Sequence, residues 1–354
     1  MTDTVHLESD VAALAAEWDD LALRLRAIPF MYAGCIEAWW NAFGSGNLEL
    51  VTVRRGERLV GIVPLQRRNR RLRSPTNSES SDFGLLAEDA AARATLTEAV
   101  FARGGRLLEL ERLDASGEDA RALRAAAGAH GYRLLERVVE RAPYLELEGE
   151  FETYFRSRSK NLTGSLRRRR RRLDEEGKVE IEVADGRDRR TELLQEGYAL
   201  EDSGWKVDTA IASREDARKF YDGLSDWAAE RGILRLAFLR LDGRAVAFQL
   251  ALEDDGVFYY CKAGFDRAFH RFSPGTLLFG ALLERAFEQR LRRAEFLGAD
   301  EPWKLEWTDT VRELERFEAF SPSVAGIAGW AAERWGRPAA RRVGAGRLRS
   351  LLRR

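Results

Sequence analysis

The sequence predicts two tandem domains of the α/β class, each with a mixed sheet. A chain of 354 residues is longer than one hydrophobic core usually serves. Helix-like and strand-like segments alternate along most of it. A hairpin pattern also recurs, since VTVRRGERLVGIVPL at 51–65 resembles AFLRLDGRAVAFQLA at 237–251. We interpret this likeness as a weak internal repeat of whole domains.

The first domain is placed at 1–142. Apolar residues at helical spacing predict a helix over 11–26, which Pro29 ends. A hairpin that turns at Gly56 follows in 48–68. The other expected elements are a helix at 35–43, a loop at 69–84, a helix at 88–103, a strand at 106–111, a helix at 117–129, a strand at 132–138 and a connection at 139–150.

The second domain is placed at 143–322. It is expected to open with a helix from about residue 151 that is broken or reset near Gly164. Three strands are predicted in 234–265, with turns at Gly243 and Gly256. The remaining expected elements are a loop at 266–273, a helix from Pro274 to about Gln289, a strand from Ala294 to Gly298 and a last strand from Leu314 to Phe320.

The composition is that of a globular protein without a net field. Hydrophobic residues make up 45% of the chain, and 58 basic residues balance 58 acidic ones. The two cysteines, Cys35 and Cys261, are too few and too far apart for a disulfide framework or a cysteine zinc site. The N-terminus is acidic, and no apolar run approaches membrane-spanning length. We therefore predict a cytoplasmic protein with no integral membrane insertion.

The segment with the clearest chemical potential is the start of the helix at Pro274. Ser273 can cap this helix and Pro274 suits its first position, so the free N–H groups of the first turn suit an anion such as a phosphate. Gly275 would let a ligand approach the backbone closely. The alternative, an ordinarily capped helix with no ligand, is favoured by the local pattern alone.

Three segments together carry a resemblance to a known family. They are LEDSGWK at 200–206, SPGTLL at 273–278 and FLGADEPWKLEW at 296–307. The chain resembles the CelD/FemAB-like branch of the GNAT superfamily over residues 10–320, more specifically in the second half. The resemblance implies two tandem GNAT-like acyl-CoA N-acyltransferase domains, the first one degenerate. It also implies acyl-CoA as the donor and an amine as the acceptor.

The resemblance implies a role for each matching residue. Ser273, Pro274, Gly275 and Thr276 correspond to the donor-phosphate segment, with Ser-Pro-Gly in place of the usual glycine-rich pattern. The family's Glu-x-Ser-x-Trp-Lys element is matched by Glu201, Asp202, Trp205 and Lys206. Either carboxylate is a candidate base for the attacking ammonium, and the tryptophan and lysine are candidates for substrate binding. The alternative is a solvated helix end with its tryptophan in the core.

Further candidates lie on and after the third strand of the second domain. Lys262 can bind donor phosphate or stabilise an oxyanion, with Asp266 following it in the loop, although an exposed lysine on an edge strand is the alternative. Tyr259 or Tyr260 can return a proton to the leaving thiolate, and only one faces the cleft. We select Tyr260.

The segment after the next strand matches the family's Asp-x-x-Tyr/Trp-Lys-x-x-Trp element through Asp300, Trp303, Lys304 and Trp307. Aromatic rings beside a lysine and an acid suit a sugar-like acceptor. Both tryptophans can equally seal the edge of the core.

Two basic features are open in their role. The run Arg167–Arg172 wraps around a helix and can hold a donor 3′-phosphate, a polyanionic acceptor or transfer RNA, or can be a solvated face. A basic tail at 323–354 has eight arginines and no acidic residue from Arg334 onwards, and we expect it to fray. Its Trp330 and Trp335 leave peripheral contact with an anionic membrane open.

The sequence therefore predicts an N-acyltransferase that moves an acyl group from acyl-CoA to an amine by direct attack. The resemblance suggests an amino sugar or another precursor of cell-envelope or exported polysaccharide as acceptor. The alternatives are aminoacyl transfer from a charged transfer RNA to a cell-wall precursor and a non-catalytic binding module. With only three histidines and no paired spacing, a metal is not expected.

Overall fold

The computed structural model of the protein describes residues 2–203 and 211–336. In its first half the elements are β1 (Asp3–Glu8), α1 (Val11–Arg24), α2 (Ala33–Phe43), β2 (Asn47–Arg55), β3 (Arg58–Arg68), β4 (Arg71–Arg73), β5 (Leu86–Ala87), α3 (Ala90–Ala102), β6 (Leu107–Asp114), α4 (Glu118–Ala129) and β7 (Arg133–Glu146). In its second half they are α5 (Phe151–Ser157), α6 (Lys160–Asp174), β8 (Val179–Ala184), α7 (Arg190–Asp202), α8 (Glu215–Glu230), β9 (Leu234–Leu241), β10 (Arg244–Asp254), β11 (Val257–Phe265), α9 (Pro274–Glu288), β12 (Arg293–Glu295), α10 (Pro302–Leu305), β13 (Val311–Phe320) and α11 (Val324–Ala331). The predicted α/β class is confirmed.

The first compact unit, unit 1, contains residues 2–27, 44–139 and 313–336 of the described chain. Its strands are ordered β1-β2-β3-β4-β6-β13, with β5 paired to β3. Neighbouring strands are antiparallel except for β4 and β6. Helix α1 buries Trp18 and Leu21 completely. Because its buried apolar residues recur at helical spacing, the sequence predicted this helix.

The second compact unit, unit 2, contains residues 28–43, 140–203 and 211–312. The end of β7 pairs with β12, and the order continues β12-β11-β10-β9-β8. Only the β11–β12 pair is parallel among these. Because β11 and β12 run parallel, they are joined by a crossover connection that contains α9.

Two hydrophobic cores lie on the two faces of the unit 2 sheet. The first, here the α8-side core, includes Phe30, Trp39, Tyr198, Phe220, Tyr221, Phe248 and Tyr259. The second, here the α9-side core, includes Phe155, Phe258, Phe279, Phe296 and Trp307. Residues on β10 alternate between them, with Phe248 in the first core and Ala247 in the second.

The compact units divide the chain differently from the boundaries drawn on the sequence. Residues 28–43, which include α2, pack in unit 2, and the segment from residue 313, which includes β13, packs in unit 1. Compact units defined by contacts are not the same as domains, so the division into domains at 1–142, 143–322 and 323–354 stays a prediction. Of its predicted tail, 337–354 lies outside the described residues.

Several element boundaries differ from the sequence prediction. The helix break lies at Arg158, not near Gly164, because the Ser159 side chain accepts from the N–H of Leu162 at 3.2 Å and starts α6 there. Strand β7 continues to Glu146 through the predicted connection. Pro143 lies within this strand, and its carbonyl oxygen accepts from the N–H of Phe296 at 3.0 Å.

Four strands were not predicted at all. Two are the short β4 and β5. The longer two are β1 and β8, each six residues long. Both lie at a sheet edge, and neither has a fully buried face, so their apolar alternation is weak.

Candidate active site

The centre of the candidate site is a β-bulge in β11. Lys262 pairs with Leu250 and Tyr260 with Ala251, so Cys261 is an extra residue between them. A bulge turns the side chains that follow it to the other face. Tyr259 packs in the α8-side core, and Lys262, three residues later, contacts residues of the same face.

A buried ion pair occupies this position. The Lys262 Nζ lies 3.2 Å from Glu201 Oε1 at the end of α7, and only 1% of the Glu201 side chain is exposed. Glu201 Oε2 also accepts from the N–H of Ile211 at 2.8 Å. The ring of Tyr221 on α8 lies 5.3 Å from Lys262 Nζ, which favours the cation. The predicted Glu201 and Lys262 are therefore brought together.

A glycine in β11 makes this contact with α7 sterically feasible. A Cβ at Gly264 would lie 2.4 Å from the Cα of Glu201, so no larger residue fits without moving α7. An isolated glycine inside a strand is a sequence signal for such a close approach, and it could have been used. Tyr221 and Ile211 had no comparable signal.

The second candidate carboxylate has a different environment. Asp202 is exposed, and its Oδ1 accepts from the Ser213 hydroxyl at 3.1 Å. The two neighbouring acids therefore differ sharply in burial, as successive residues near a helix end do when one faces the sheet. Trp205 and Lys206, predicted to bind substrate, lie outside the described residues.

The start of α9 lacks a side-chain cap from its N-cap residue. Ser273 precedes the helix in the left-handed region, with φ of 49°, and its side chain makes no capping hydrogen bond. Instead its carbonyl oxygen accepts from the N–H groups of Thr276 and Leu277. The predicted side-chain cap at Ser273 is therefore wrong, because the left-handed backbone directs the hydroxyl elsewhere. Pro274 takes the first helical position, as predicted.

Gly275 and Asp266 help to define the loop before α9. A Cβ at Gly275 would lie 3.6 Å from the Phe265 ring, an ordinary contact, so the fold itself does not require a glycine there. Asp266 caps the short 3₁₀-helix at 267–272 by accepting from Ala268, and it pairs with Arg244 at 2.5 Å. These contacts hold Asp266 in the loop.

Unit 1 offers a contrast at α3, its helix that follows β5. The side chain of Asp89 accepts from the N–H of Ala92 at 2.8 Å and therefore occupies the start of that helix. Arg55 holds the same carboxylate at 2.8 Å. Hydrogen bonding to Arg55 and to the backbone lowers the pKa of Asp89 to about 2. An anionic ligand would meet a carboxylate there.

The third group of candidates lies on the opposite face of β11. Tyr260 contacts Trp303 with ring centroids 5.5 Å apart, and both pack against Phe279 of the α9-side core. Burial raises the pKa of Tyr260 above its usual value, which makes its phenol a weaker acid. The bulge thus separates the predicted Tyr260 from Lys262.

Two further candidates stabilise the loop after β12. Lys304 is buried and donates to the carbonyl oxygens of Leu297 at 2.6 Å and Ala299 at 3.0 Å. Asp300 pairs with Arg141 at 2.6 Å. Gly298 adopts a φ of 62° in this loop, and a Cβ there would lie 3.2 Å from Lys304 Nζ. The Lys304 charge is therefore directed at its own backbone.

Neither cysteine is suited to act as a nucleophile. Burial raises the pKa of Cys35 to about 12 and also raises the pKa of Cys261. A thiol needs a lowered pKa to supply thiolate at neutral pH.

The arginine run lies on α6, which is fixed by the buried side chains of Leu162, Leu166 and Leu173. Arg167 and Arg170 pair with Glu152 and Asp174, at 2.8 and 2.9 Å. The exposed Arg168 and Arg172 have no carboxylate within ion-pair distance among residues 2–203 and 211–336. Part of the run is thus a solvated face with internal ion pairs, and part is an unneutralised positive surface.

A comparison with known families gives a match to the segment that contains both the arginine run and the Lys262–Glu201 pair. The family model described as Acetyltransferase (GNAT) domain matches residues 160–305, which hold α6 to α10 and the Lys262–Glu201 pair. No curated protein matches the sequence. Residues 160–305 are therefore similar to a GNAT acetyltransferase domain, and this match supports an acyltransferase as the class of enzyme.

Solved structures show how far the fold extends. The structure of FemX has a TM-score of 0.59 at 11% identity and covers 90% of this chain and 97% of its own. The C-terminal domain of a putative lysylphosphatidylglycerol synthetase from Agrobacterium fabrum has a TM-score of 0.57 at 14% identity, covering 92% and 97%. A conserved protein of unknown function from Bacteroides thetaiotaomicron scores 0.53 at 11% identity, covering 90% and 100%. About nine-tenths of the chain thus shares the fold of FemX, which agrees with the predicted FemAB-like resemblance.

Proposed function

We propose that unit 2 transfers an acyl group from acyl-CoA to a primary amine, with Glu201 as the general base. The observation that carries this proposal is the buried Lys262–Glu201 pair at the bulge of β11, within the segment matched by the GNAT family model. A carboxylate in a low-dielectric position interacts strongly with a nearby ammonium. Lys262 pairs with this carboxylate and orients it.

The proposed reaction is a direct transfer. Glu201 accepts a proton from the acceptor ammonium, directly or through a water, and the free amine attacks the thioester carbonyl carbon. The C–N bond forms, the C–S bond breaks, and the second proton that the amine nitrogen loses on becoming an amide passes to the departing thiolate. The raised thiol pKa values of Cys35 and Cys261 support a mechanism without a covalent enzyme intermediate.

The donor is proposed to bind at Ser273, Pro274, Gly275 and Thr276. Two observations support α9 over α3: its first turn has no side-chain cap, whereas Asp89 occupies the start of α3. The dipole at an open helix start favours phosphate. Unit 1 is accordingly the degenerate half in this proposal.

The acceptor is proposed to be an amino sugar or another precursor of cell-envelope or exported polysaccharide. The partly exposed Tyr260–Trp303 pair supports a ring-shaped acceptor, because aromatic faces pack on sugar rings. Asp300 and Lys304 are held by Arg141 and by the loop, so their proposed role is to shape this wall. Asp266 similarly shapes the donor loop. The cytoplasmic location stays a prediction.

Aminoacyl transfer from a charged transfer RNA is the second candidate. The unneutralised Arg168 and Arg172 on α6 favour it, and so does the fold of FemX. Transfer RNA binding through such a surface would fall steeply with salt, unlike catalysis with acetyl-CoA alone.

The deciding experiment measures release of the free CoA thiol from acetyl-CoA with a panel of amino sugars. We expect Glu201→Gln to lower kcat about 10²–10⁴-fold, which is the usual effect of losing a general base. The matched variant Asp202→Asn should change kcat less than about threefold, since Asp202 is exposed and bonds to Ser213.

A double variant separates catalysis from structure. Glu201→Gln removes the carboxylate that pairs with Lys262, which destabilises the fold. Adding Lys262→Met should restore the thermal midpoint without restoring activity. Recovery of activity in the double variant would show that the pair is only structural. Absence of turnover by the wild-type protein, with turnover from aminoacylated transfer RNA, would favour the second candidate.

A further inference from the structure

Helix α11 carries its apolar residues on the side away from the protein. Its sequence, VAGIAGWA, has no charged residue. The inward side is built from small residues, since a Cβ at Gly326 would lie 2.2 Å from the Ser321 carbonyl oxygen, and one at Gly329 would lie 3.4 Å from the Phe320 ring. Trp330 fixes the helix by donating from Nε1 to the Leu134 carbonyl oxygen at 3.0 Å.

The outward side forms an exposed apolar stripe. Val324 is 87% exposed, Ile327 is 41% exposed and Trp335, in the π-turn that continues the helix, is 61% exposed. Positions i and i+3 lie on one side of an α-helix, so Val324 and Ile327 face the same way. A surface helix of a soluble domain normally places its polar residues there.

Positive charge follows this stripe directly. From Arg334 to Arg354 the sequence has eight arginines and no acidic residue. Arg133 and Arg334 also stack on the Trp330 ring, with Cζ 5.3 and 5.6 Å from its centroid. Apolar side chains next to a basic segment are the two components that bind peripheral proteins to anionic bilayers.

We propose that α11 and Trp335 dock on an anionic phospholipid surface, to which the positive charge of the sequence from Arg334 onwards adds electrostatic attraction. The charge supports lipid as the occupant, because a second copy of this chain would present the same positive charge and repel it. Nucleic acid would use the arginines but would leave Val324 and Ile327 in water. The stripe in the described chain is short, so the contact is interfacial. No helix among residues 2–203 and 211–336 is both long and apolar enough to cross a bilayer.

Vesicle co-sedimentation of the full chain tests this inference. We expect wild-type protein to bind vesicles of phosphatidylcholine with phosphatidylglycerol at least tenfold more tightly than pure phosphatidylcholine vesicles. Binding should weaken strongly in 0.5 M NaCl, where the Debye length is only about 4 Å. The variant V324D/I327D should bind the anionic vesicles at least tenfold more weakly. Asp at position 324 suits a helix start, so α11 should remain folded.

The matched control is Leu23→Asp, an exposed leucine on α1 with 56% exposure, which should bind vesicles as wild type does. Circular dichroism and light scattering should show the same fold and oligomeric state for all three proteins. The inference is overturned if V324D/I327D binds normally or if wild-type protein ignores anionic vesicles. It is also overturned if V324D/I327D instead dissociates a dimer, or if RNA binds while vesicles do not. Acyl transfer is measured without vesicles, so these outcomes are independent of the proposed reaction.

Discussion

At the scale of single residues, burial separates side chains that the sequence places together. Glu201 and Asp202 are neighbours, yet one is almost fully buried against Lys262 and the other is exposed beside Ser213. The sequence could identify both as acids at a helix end but could not say which faced the sheet. The bulge at Cys261 likewise separates Tyr260 from Lys262. It shifts by one residue the alternation of side chains between the two faces of the strand.

Lys304 gives a residue-scale prediction. Lys304→Met should lower the free energy of unfolding by about 2 kcal/mol, because the Leu297 and Ala299 carbonyl oxygens lose their charged donor. Urea unfolding measures this change. Lys178→Met removes an exposed lysine that pairs with Glu180 at the surface, and it should change stability by less than about 0.5 kcal/mol. If Lys304→Met is as stable as the wild type but has a raised KM for the acceptor, Lys304 binds substrate, as the sequence predicted, and does not mainly stabilise the loop.

At the scale of elements, strongly periodic segments were predictable and edge segments were not. The helices at α1 and α9 have continuous apolar faces, and the hairpins β2–β3 and β9–β10 have glycine turns, so the sequence located all of them. Strands β1 and β8 lie at sheet edges with mixed exposure, so their patterns gave little signal. Ser273 shows another limit, because a capping residue type does not reveal a left-handed backbone.

The cap of α3 gives an element-scale prediction with a defined pH dependence. The folded pKa of Asp89, about 2, lies below its ordinary value of 3.8. Its stabilising contribution is therefore complete above that value and is lost as pH falls from about 4 to about 2. Asp89→Asn still caps a helix but cannot pair with Arg55 as a charge. Wild-type protein should have the higher urea midpoint at pH 6, and the difference should shrink at pH 3. An unchanged difference would contradict the role of the Asp89 charge.

At the scale of the whole molecule, the fold class and superfamily were predictable, but the membership of the compact units was not. Residues 28–43 belong to unit 2 although they precede most of unit 1, and the segment from residue 313 belongs to unit 1. Sequence patterns define local elements well, whereas this exchange depends on packing between distant segments. Phe30 and Trp39, for example, lie in the α8-side core with Phe220.

Because residues 28–43 pack in unit 2, we expect that a fragment made at the domain boundaries predicted from the sequence does not fold cooperatively. A fragment of residues 143–322 lacks Phe30, Cys35, Ala38 and Trp39 of the α8-side core. Each buried side chain of this kind contributes up to about 2 kcal/mol, and a domain is stable by only about 5–15 kcal/mol. We expect the fragment to bind a hydrophobic dye and to unfold without a cooperative near-ultraviolet transition.

The control for this fragment supplies the missing helix. A polypeptide that joins residues 28–43 through a Gly/Ser linker to residues 140–312 should unfold cooperatively. Equal cooperativity of the 143–322 fragment would show that α2 is dispensable for the α8-side core.

The segment from residue 313, which packs in unit 1, also sets the order in which the two units are completed on the ribosome. Every residue of unit 2 has been synthesised once Arg312 is added, whereas unit 1 still lacks β13, the antiparallel partner of β6. The half of the chain that is made first is therefore the half that is completed last. Until Val311–Phe320 emerges, β6 presents an unpaired edge, and such edges are sites where nascent chains aggregate or recruit chaperones.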